Sequence, residues 1–207
     1  MRRFVPALIV LALVCLAAAP VAIVRGDAFP KPSPYPKSWE LKFDHGKPKR
    51  VVVKTAKGVP LAFWYMTYTV TNSTDQEQLF LPAFELVTED GRIVRNDINI
   101  PAGVFDVIKK QEGQRFLEPA ELIGGKLRIG PDQAKDGVAI WQEPSTEMGT
   151  FQIYVSGLSG ETATVKGPDG KDVILRKTLQ LNYLIRGDDV YPGEDEVNEN
   201  PQEWVMR

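Results

Sequence analysis

The sequence predicts an all-β fold: an antiparallel β-sandwich with one short helix inserted and an acidic C-terminal tail. Two observations lead to this prediction. Short apolar runs recur from Trp39 onwards, separated by turn residues, at a spacing that gives about eight or nine strands. The Asp-Gly pairs at 90–91, 136–137 and 169–170 each lie between two such runs, and Asp-Gly is a strong local signal for a hairpin.

Residues 1–28 have the layout of an export signal, with Arg2 and Arg3 as a short positive head before the apolar run 4–24. This run is also long enough to span a bilayer. The segment is therefore predicted to be either a cleaved signal peptide or an uncleaved signal anchor that tethers the protein to the inner membrane. With either outcome, we expect the rest of the chain to be exported to the periplasm or the cell envelope.

Cysteine content and charge exclude several classes of function. Cys15, the only cysteine, lies inside the export signal, so the exported body has no thiol for a disulfide, a nucleophile or a Cys-based metal site. Without residues 1–28, the chain keeps 22 of its 25 Lys and Arg and 26 of its 27 Asp and Glu residues, a formal charge of −4. No basic patch with interleaved aromatics is visible, and nucleic acid is therefore not an expected partner.

Residues 29–38, FPKPSPYPKS, carry prolines at alternating positions and are predicted to form a stiff, extended spacer without hydrogen-bonded structure. The β-sandwich domain is predicted to follow at residues 39–186. Its strand candidates, in chain order, are WELKF, RVVVKT, LAFWYMTYTVTN, LFLPAFELVT, IVR, GVAIWQ, TFQIYVSGL, TATV and DVILRKTLQLNYLI. In each strand, alternate residues point to opposite faces of the sheet.

The longest of these runs, LAFWYMTYTVTN, has two different faces. The large apolar face consists of Trp64, Met66, Tyr68 and Val70. The other face is mostly threonine, which predicts a half-buried strand with its apolar face against the core. Tyr65 is the one aromatic on the threonine face, and it is therefore the candidate for stacking on a ligand. The Asn-Ser-Thr cluster at 72–74 is predicted to be a turn rather than a glycosylation site.

The segment that begins with PAGVFDV breaks the strand rhythm. Its apolar residues, such as Val104 and Ile108, have helical spacing, and Gly113 follows the last turn. Proline near the start and glycine after the end are helix boundary signals. We therefore predict one short helix at 102–111 that lies across the sandwich, and a second helical turn in PAELIGG.

Nucleophilic and imidazole chemistry has little support in the sequence. His45 is the only histidine, and its surroundings, FDHGKP, indicate a turn residue rather than a member of a triad or a metal site. The GLSG motif at 157–160 is not the Gly-x-Ser-x-Gly elbow of hydrolases, and it is predicted to be the turn that leaves a strand.

Carboxylates offer two further hypotheses. The pairs Glu118 and Glu121, or Asp132 and Asp136, would suit a glycoside-type hydrolase, because paired acids cleave glycosidic bonds. The acidic tail at 187–207 holds seven carboxylates and could bind calcium, although its spacing lacks the Asp-x-Asp-x-Asp-Gly ladder. We expect no other cofactor and no catalytic residue.

The acidic tail ends in the apolar sequence WVMR. Trp204, Val205 and Met206 follow a long polar tract there. An apolar end after such a tract predicts that the tail docks, either as an added strand of the sheet or onto a partner.

Six segments carry a resemblance to a known group of proteins: WYMTYTVTN, FELVTEDG, AKDGVAIW, FQIYVSGLSG, RKTLQLNY and the terminal WVMR. In this order they resemble a family of uncharacterised exported proteins from environmental bacteria, over nearly the whole chain after the export signal. The resemblance implies an immunoglobulin-like or similar β-sandwich in the cell envelope. It implies no assigned activity and no catalytic residues.

Three functions are compatible with these features. The first is a non-catalytic, exported module of the bacterial cell envelope that binds a protein or a surface polymer, with Trp204, Val205 and Met206 as docking residues. The second is a carbohydrate-binding module, for which Tyr65, Tyr35 and Tyr191 are the candidate aromatics. The third is the glycoside-type hydrolase, which requires two carboxylates in one cleft.

Overall fold

The structure is a computed structural model that describes residues 29–54, 58–96, 98–144, 148–185 and 196–207. Within these ranges, two sheets contain most of the strands. The five-stranded sheet consists of β1 (Lys42–His45), β2 (Lys49–Lys54), β3 (Pro60–Thr71), β7 (Glu118–Pro119) and β9 (Lys135–Gln142). The six-stranded sheet consists of β5 (Ala83–Thr88), β6 (Ile93–Arg95), β10 (Thr150–Ser156), β11 (Thr162–Lys166), β12 (Asp172–Ile185) and β13 (Val197–Met206).

The other elements connect the two sheets. A separate ribbon pairs β4 (Gln78–Phe80) with β8 (Gly125–Leu127). The helices are α1 (Ala102–Glu112) and α2 (Ala120–Ile123). All strand pairs described are antiparallel except β7 with β9. Strands outnumber the predicted eight or nine for three reasons: the run around Pro82 is split into β4 and β5, the connection before β9 adds two very short strands, and the tail adds β13.

The main core lies between the two sheets. Side chains of β3 and β9 meet those of β5, β10 and β12, and the rings of Trp64 and Phe151 are 5.8 Å apart across this interface. Tyr68 and Phe84 make a similar contact at 4.8 Å. The predicted all-β sandwich-type fold with a short helix is therefore confirmed, and so is the inward face of β3.

Helix α1 covers the other face of β3 and creates a second core. Val104 and Ile108 on the helix are fully buried there, together with Phe63 and Tyr65 of β3. The predicted helix is confirmed, and Gly113 ends it in the left-handed conformation, with φ of 65°. The prediction that Tyr65 lies on an open face is wrong, because the helix leaves the Tyr65 side chain 0% exposed.

Two of the three Asp-Gly pairs are hairpin turns, and one is not. Asp90-Gly91 joins β5 to β6, and Asp169-Gly170 joins β11 to β12. The pair at 136–137 lies inside β9 instead. A Cβ atom on Gly137 would be 2.4 Å from Cζ of Tyr68, so glycine at this position leaves space for the tyrosine ring.

The N-terminal segment 29–38 is tied to the sandwich. The Ser33 backbone N–H donates a hydrogen bond of 2.8 Å to Oε1 of Glu161, and Lys177 Nζ donates one of 3.5 Å to the Ser33 carbonyl. The expectation of a spacer without hydrogen bonds is therefore wrong at Ser33, because a buried ionic group reaches its backbone.

The apolar end of the chain forms β13, which pairs with β12 from Val197 to Met206. Of the two alternatives predicted for the tail, the structure shows the added strand. Pro201 lies in this strand, which is at the edge of the sheet, so its missing N–H is tolerated. Among the described residues, no helix is long and apolar enough to cross a membrane. The predicted export signal and most of the acidic tract lie outside the described residues.

Candidate functional site

A groove runs between the proline segment and the end of β13, and we call it the proline groove. Its volume is about 570 Å³. One wall is formed by Phe29, Pro30, Lys31, Pro32, Ser33, Pro34 and Pro36, and the other by Glu203, Trp204, Val205 and Met206, with Glu40 and Lys177 between the walls. Apolar walls with a few charged groups are typical of binding sites.

Three charged side chains form an ionic cluster beside this groove: Lys177 and Glu161, which are buried, and Glu40, which is partly exposed. Lys177 is only 3% exposed, and its ammonium group forms ion pairs with Glu40 and, at 3.4 Å, with Glu161. Glu161 is 8% exposed and also accepts the hydrogen bond from Ser33. Because charges this deeply buried must be paired, the cluster holds the proline segment against the sheet and shapes the groove.

The three predicted docking residues all line the proline groove, but they pack differently. Met206 is 4% exposed, and Trp204 is partly buried against the main core, with the Lys177 ammonium 4.9 Å from its ring centre. Val205 alternates with them and pairs with Thr178, so its side chain is on the opposite face of β13. Val205 is therefore the docking residue that contributes least to the core.

Sequence reasoning missed Lys177 and Glu161. A signal for the lysine was present, because Lys177 alternates with Leu175, Leu179 and Leu181, all of which are buried. A lysine on the apolar face of a strand requires a buried carboxylate partner. The sequence does not indicate which carboxylate that is, since Glu40 and Glu161 come from distant parts of the chain.

The structure brings one of the two predicted carboxylate pairs into the same cleft and places the members of the other pair in different clefts. Asp132 and Asp136 line one cleft of about 390 Å³, and Glu118 lines it too. Lys109, Arg115 and Lys135 line the same cleft, so it has mixed charge. Glu121 lines a different cleft, of about 240 Å³, beside the start of α1. The hydrolase hypothesis stays a prediction, with Asp132 and Asp136 as its pair.

His45 and Ser159 occupy positions with local hydrogen bonds. His45 Nδ1 is 3.2 Å from the carbonyl of Gly46, and its Nε2 is 3.3 Å from Oε1 of Gln202 on β13. The Ser159 hydroxyl accepts a hydrogen bond from the backbone N–H of Glu161. Within the described ranges, no three His, Cys, Asp or Glu side chains converge to hold a metal ion, and calcium at the acidic tail stays a prediction.

The candidate aromatics for sugar binding do not form a row. Tyr65 is buried under α1, and Tyr35 is 78% exposed on the proline segment. Tyr191 lies outside the described residues. An aromatic that sequence reasoning did not select, Tyr154 on β10, is half-buried on the outer face of the six-stranded sheet.

Tyr65 takes part in a polar cluster instead of a ligand site. Its hydroxyl donates a hydrogen bond of 2.7 Å to Glu112, which also pairs with Lys49 at 2.8 Å. Burial alone raises the pKa of Glu112, but the hydrogen bonds from Lys49 and Tyr65 outweigh burial and lower it. A carboxylate with a lowered pKa stabilises the fold above its unfolded-state pKa, and this contribution is lost as the pH falls through the folded-state pKa.

We expect Tyr65→Phe to lower the free energy of unfolding by about 1.5 kcal/mol at neutral pH, because a hydrogen bond to a carboxylate is lost. Urea denaturation at several pH values checks this. The difference from the parent protein should shrink as Glu112 becomes protonated, since the protonated acid gains less from the tyrosine. Tyr35→Phe, on an exposed ring, is the control and should change nothing. A difference that is independent of pH would contradict this account.

No protein-family model, no curated protein and no solved structure matches this chain.

Proposed function

We propose that this protein is an exported, non-catalytic module of the bacterial cell envelope that binds a partner protein through the proline groove. The observation that carries the proposal is the groove itself, in which Trp204 and a wall of prolines face each other. An extended peptide that carries apolar side chains fits such a site, because it can place those side chains between aromatic and proline surfaces.

The charges along the groove support a peptide as the ligand. Lys31 and Glu203 are exposed on opposite walls, and Glu40 and Lys177 lie between the walls. The exposed Lys31 and Glu203 can pair with charged side chains of a peptide, and their opposite signs set the direction in which a segment binds. The Ser33 backbone is held by Glu161 and Lys177.

Site-specific photo-crosslinking in the native envelope tests the proposal. A photoreactive residue in place of Lys31, on the groove wall, should give a discrete adduct with one envelope protein. The same residue in place of Lys171, which is exposed next to the β11–β12 turn, is the control and should give none. Adducts with polysaccharide alone would overturn the proposal in favour of a carbohydrate-binding module, and equal adducts at both positions would also overturn it.

We expect Phe29→Glu to reduce the crosslinked fraction about tenfold or more, because it places a charge where the groove would hold the apolar side chains of a peptide. The matched control is Phe116→Glu, the same change at a residue that is 73% exposed and does not line the groove. Unchanged crosslinking by Phe29→Glu would show that partner binding does not use this surface. Both variants should keep the parent melting temperature.

Export is tested separately by mass spectrometry of the protein recovered from the envelope. A chain that begins at Pro20 or Phe29, after cleavage behind Ala19 or Ala28, would be a soluble product, and an intact N-terminus would be a membrane-tethered one. Recovery only from the cytoplasm would contradict the export prediction.

A further inference from the structure

The six-stranded sheet has a polar outer face that the proposed function does not use. Its inner face packs into the main core, whereas Gln152, Gln180 and Asn182 are only half-buried on the outer face. These amides are neighbours, because Gln152 is directly opposite Asn182 in the β10–β12 pair. Gln180 is opposite Tyr154 in the same pair, so the aromatic ring lies among the amides.

One end of this face is a shallow depression with a volume of about 170 Å³. It is lined by Ala83, Glu85, Tyr154, Ser156, Thr178 and the two arginines Arg176 and Arg207. None of these residues lines the proline groove, but the two surfaces adjoin at β13, where Val205 and Glu203 pair with Thr178 and Gln180.

The depression has a surplus of positive charge. Arg207 lies 4.1 Å from the Tyr154 ring centre and 2.8 Å from Glu85, which also pairs with Arg95 at 3.2 Å. Glu85 is thus shared between two guanidinium groups. Arg176 is exposed and has no ion-pair partner among the residues that the structure describes. The depression therefore holds one carboxylate and two arginines, Arg176 and Arg207, in a chain whose overall charge is negative.

We propose that this face binds an acidic polysaccharide, a polymer of uronic acid residues. Guanidinium groups recognise carboxylates through paired hydrogen bonds, and Arg176 and Arg207 supply two such groups. Amide and hydroxyl groups exchange hydrogen bonds with sugar hydroxyls, and Gln152, Gln180 and Ser156 supply these. The Tyr154 ring stacks with the Arg207 guanidinium and so helps to hold it at the end of the row of amides.

The mixture of groups distinguishes this ligand from other polyanions. A site that recognises only negative charge needs nothing but cations. Here the arginines lie at one end of a row of amides, and the amides can bind the hydroxyl groups that a sugar polymer has and a simple polyanion lacks. The face between β5 and β13 also leaves room for an extended chain of sugars, because α1 and α2 pack against strands of the other sheet.

Affinity electrophoresis with three polymers tests the proposal: polygalacturonate, neutral dextran and polyglutamate. We expect the protein to bind polygalacturonate more tightly than polyglutamate, and not to bind dextran. Binding should weaken as salt is added, since exposed charges take part. Equal affinity for polyglutamate and polygalacturonate would overturn the proposal and leave only a nonspecific cationic surface. Lack of binding to polygalacturonate would overturn it as well.

The variant Arg176→Ala should weaken polygalacturonate binding about tenfold, the size expected for one charge-assisted hydrogen bond. This change should leave the fold intact, because the Arg176 side chain is exposed and forms no ion pair within the described ranges. Lys54→Ala on β2 removes the same charge from the other sheet and is the control. Gln152→Ala should weaken polygalacturonate binding about threefold and leave polyglutamate binding unchanged. An equal loss for Arg176→Ala and Lys54→Ala would contradict the assignment of the site.

Discussion

Replacing Gly157 with alanine is expected to lower the free energy of unfolding by about 3 kcal/mol or more. Gly157 follows β10 with φ of 85°, a left-handed conformation that costs other residues about 1–2 kcal/mol. A Cβ atom there would also be 2.4 Å from the carbonyl oxygen of Leu81. Because that oxygen belongs to the backbone, the clash must be relieved by moving the chain, at a further cost of about 1–3 kcal/mol.

Gly170→Ala is a matched control for this prediction. Gly170 has φ of 77°, close to that of Gly157, but nothing lies within 4 Å of the position its Cβ would take. It should therefore lose only about 1–2 kcal/mol, the conformational part. Urea denaturation of both variants gives the two values. Equal losses would show that the contact with Leu81 contributes nothing.

The architecture could be predicted because its signals are local. The alternation of Trp64, Met66 and Tyr68 determines which face of β3 points inward, and the helix boundaries follow from proline and Gly113. The same local reasoning was wrong for Gly137, where glycine is required by the ring of Tyr68 on the neighbouring strand. The sequence around residue 137 contains no information about that neighbour, so Asp136-Gly137 was interpreted as a hairpin turn.

The environment of Tyr65 shows a second limit. Alternation correctly separates Tyr65 from the inward residues of β3, but it does not show what covers the opposite face. The apolar residues of α1 were a usable signal, since Val104 and Ile108 need a surface to pack against. The outer face of β3 was the available surface, and together they form the second core.

The proline groove could be predicted only in part. The apolar end of the chain identified Trp204, Val205 and Met206, and all three line the groove. The opposite wall depends on the ionic cluster, whose members come from positions 40, 161 and 177. These residues meet through backbone pairing between distant segments, because Lys177 N–H donates to the Glu161 carbonyl and Glu40 forms a bridge with Ser159. Single-sequence patterns do not specify this pairing.

The ionic cluster gives the other large expected effect. Lys177→Met should lower the free energy of unfolding by about 3–5 kcal/mol, because Glu40 and Glu161 would be left without a cation in a buried site. Trypsin cleavage after Lys37 should also become faster, since Ser33 loses one of its two anchors. Lys47→Met is the control: Lys47 pairs with Glu196 at the surface, and its loss should cost no more than about 0.5 kcal/mol.

A triple variant separates the charge of this cluster from its packing. Adding Glu40→Gln and Glu161→Gln to Lys177→Met removes both carboxylate charges and leaves side chains of similar volume, so most of the lost stability should return. Recovery of stability without recovery of protease resistance would mean that the charges, and not the volume, hold the proline segment in place. If the triple variant is as unstable as Lys177→Met, unpaired charge is not the cause, and the methionine must instead disturb the packing around Trp204.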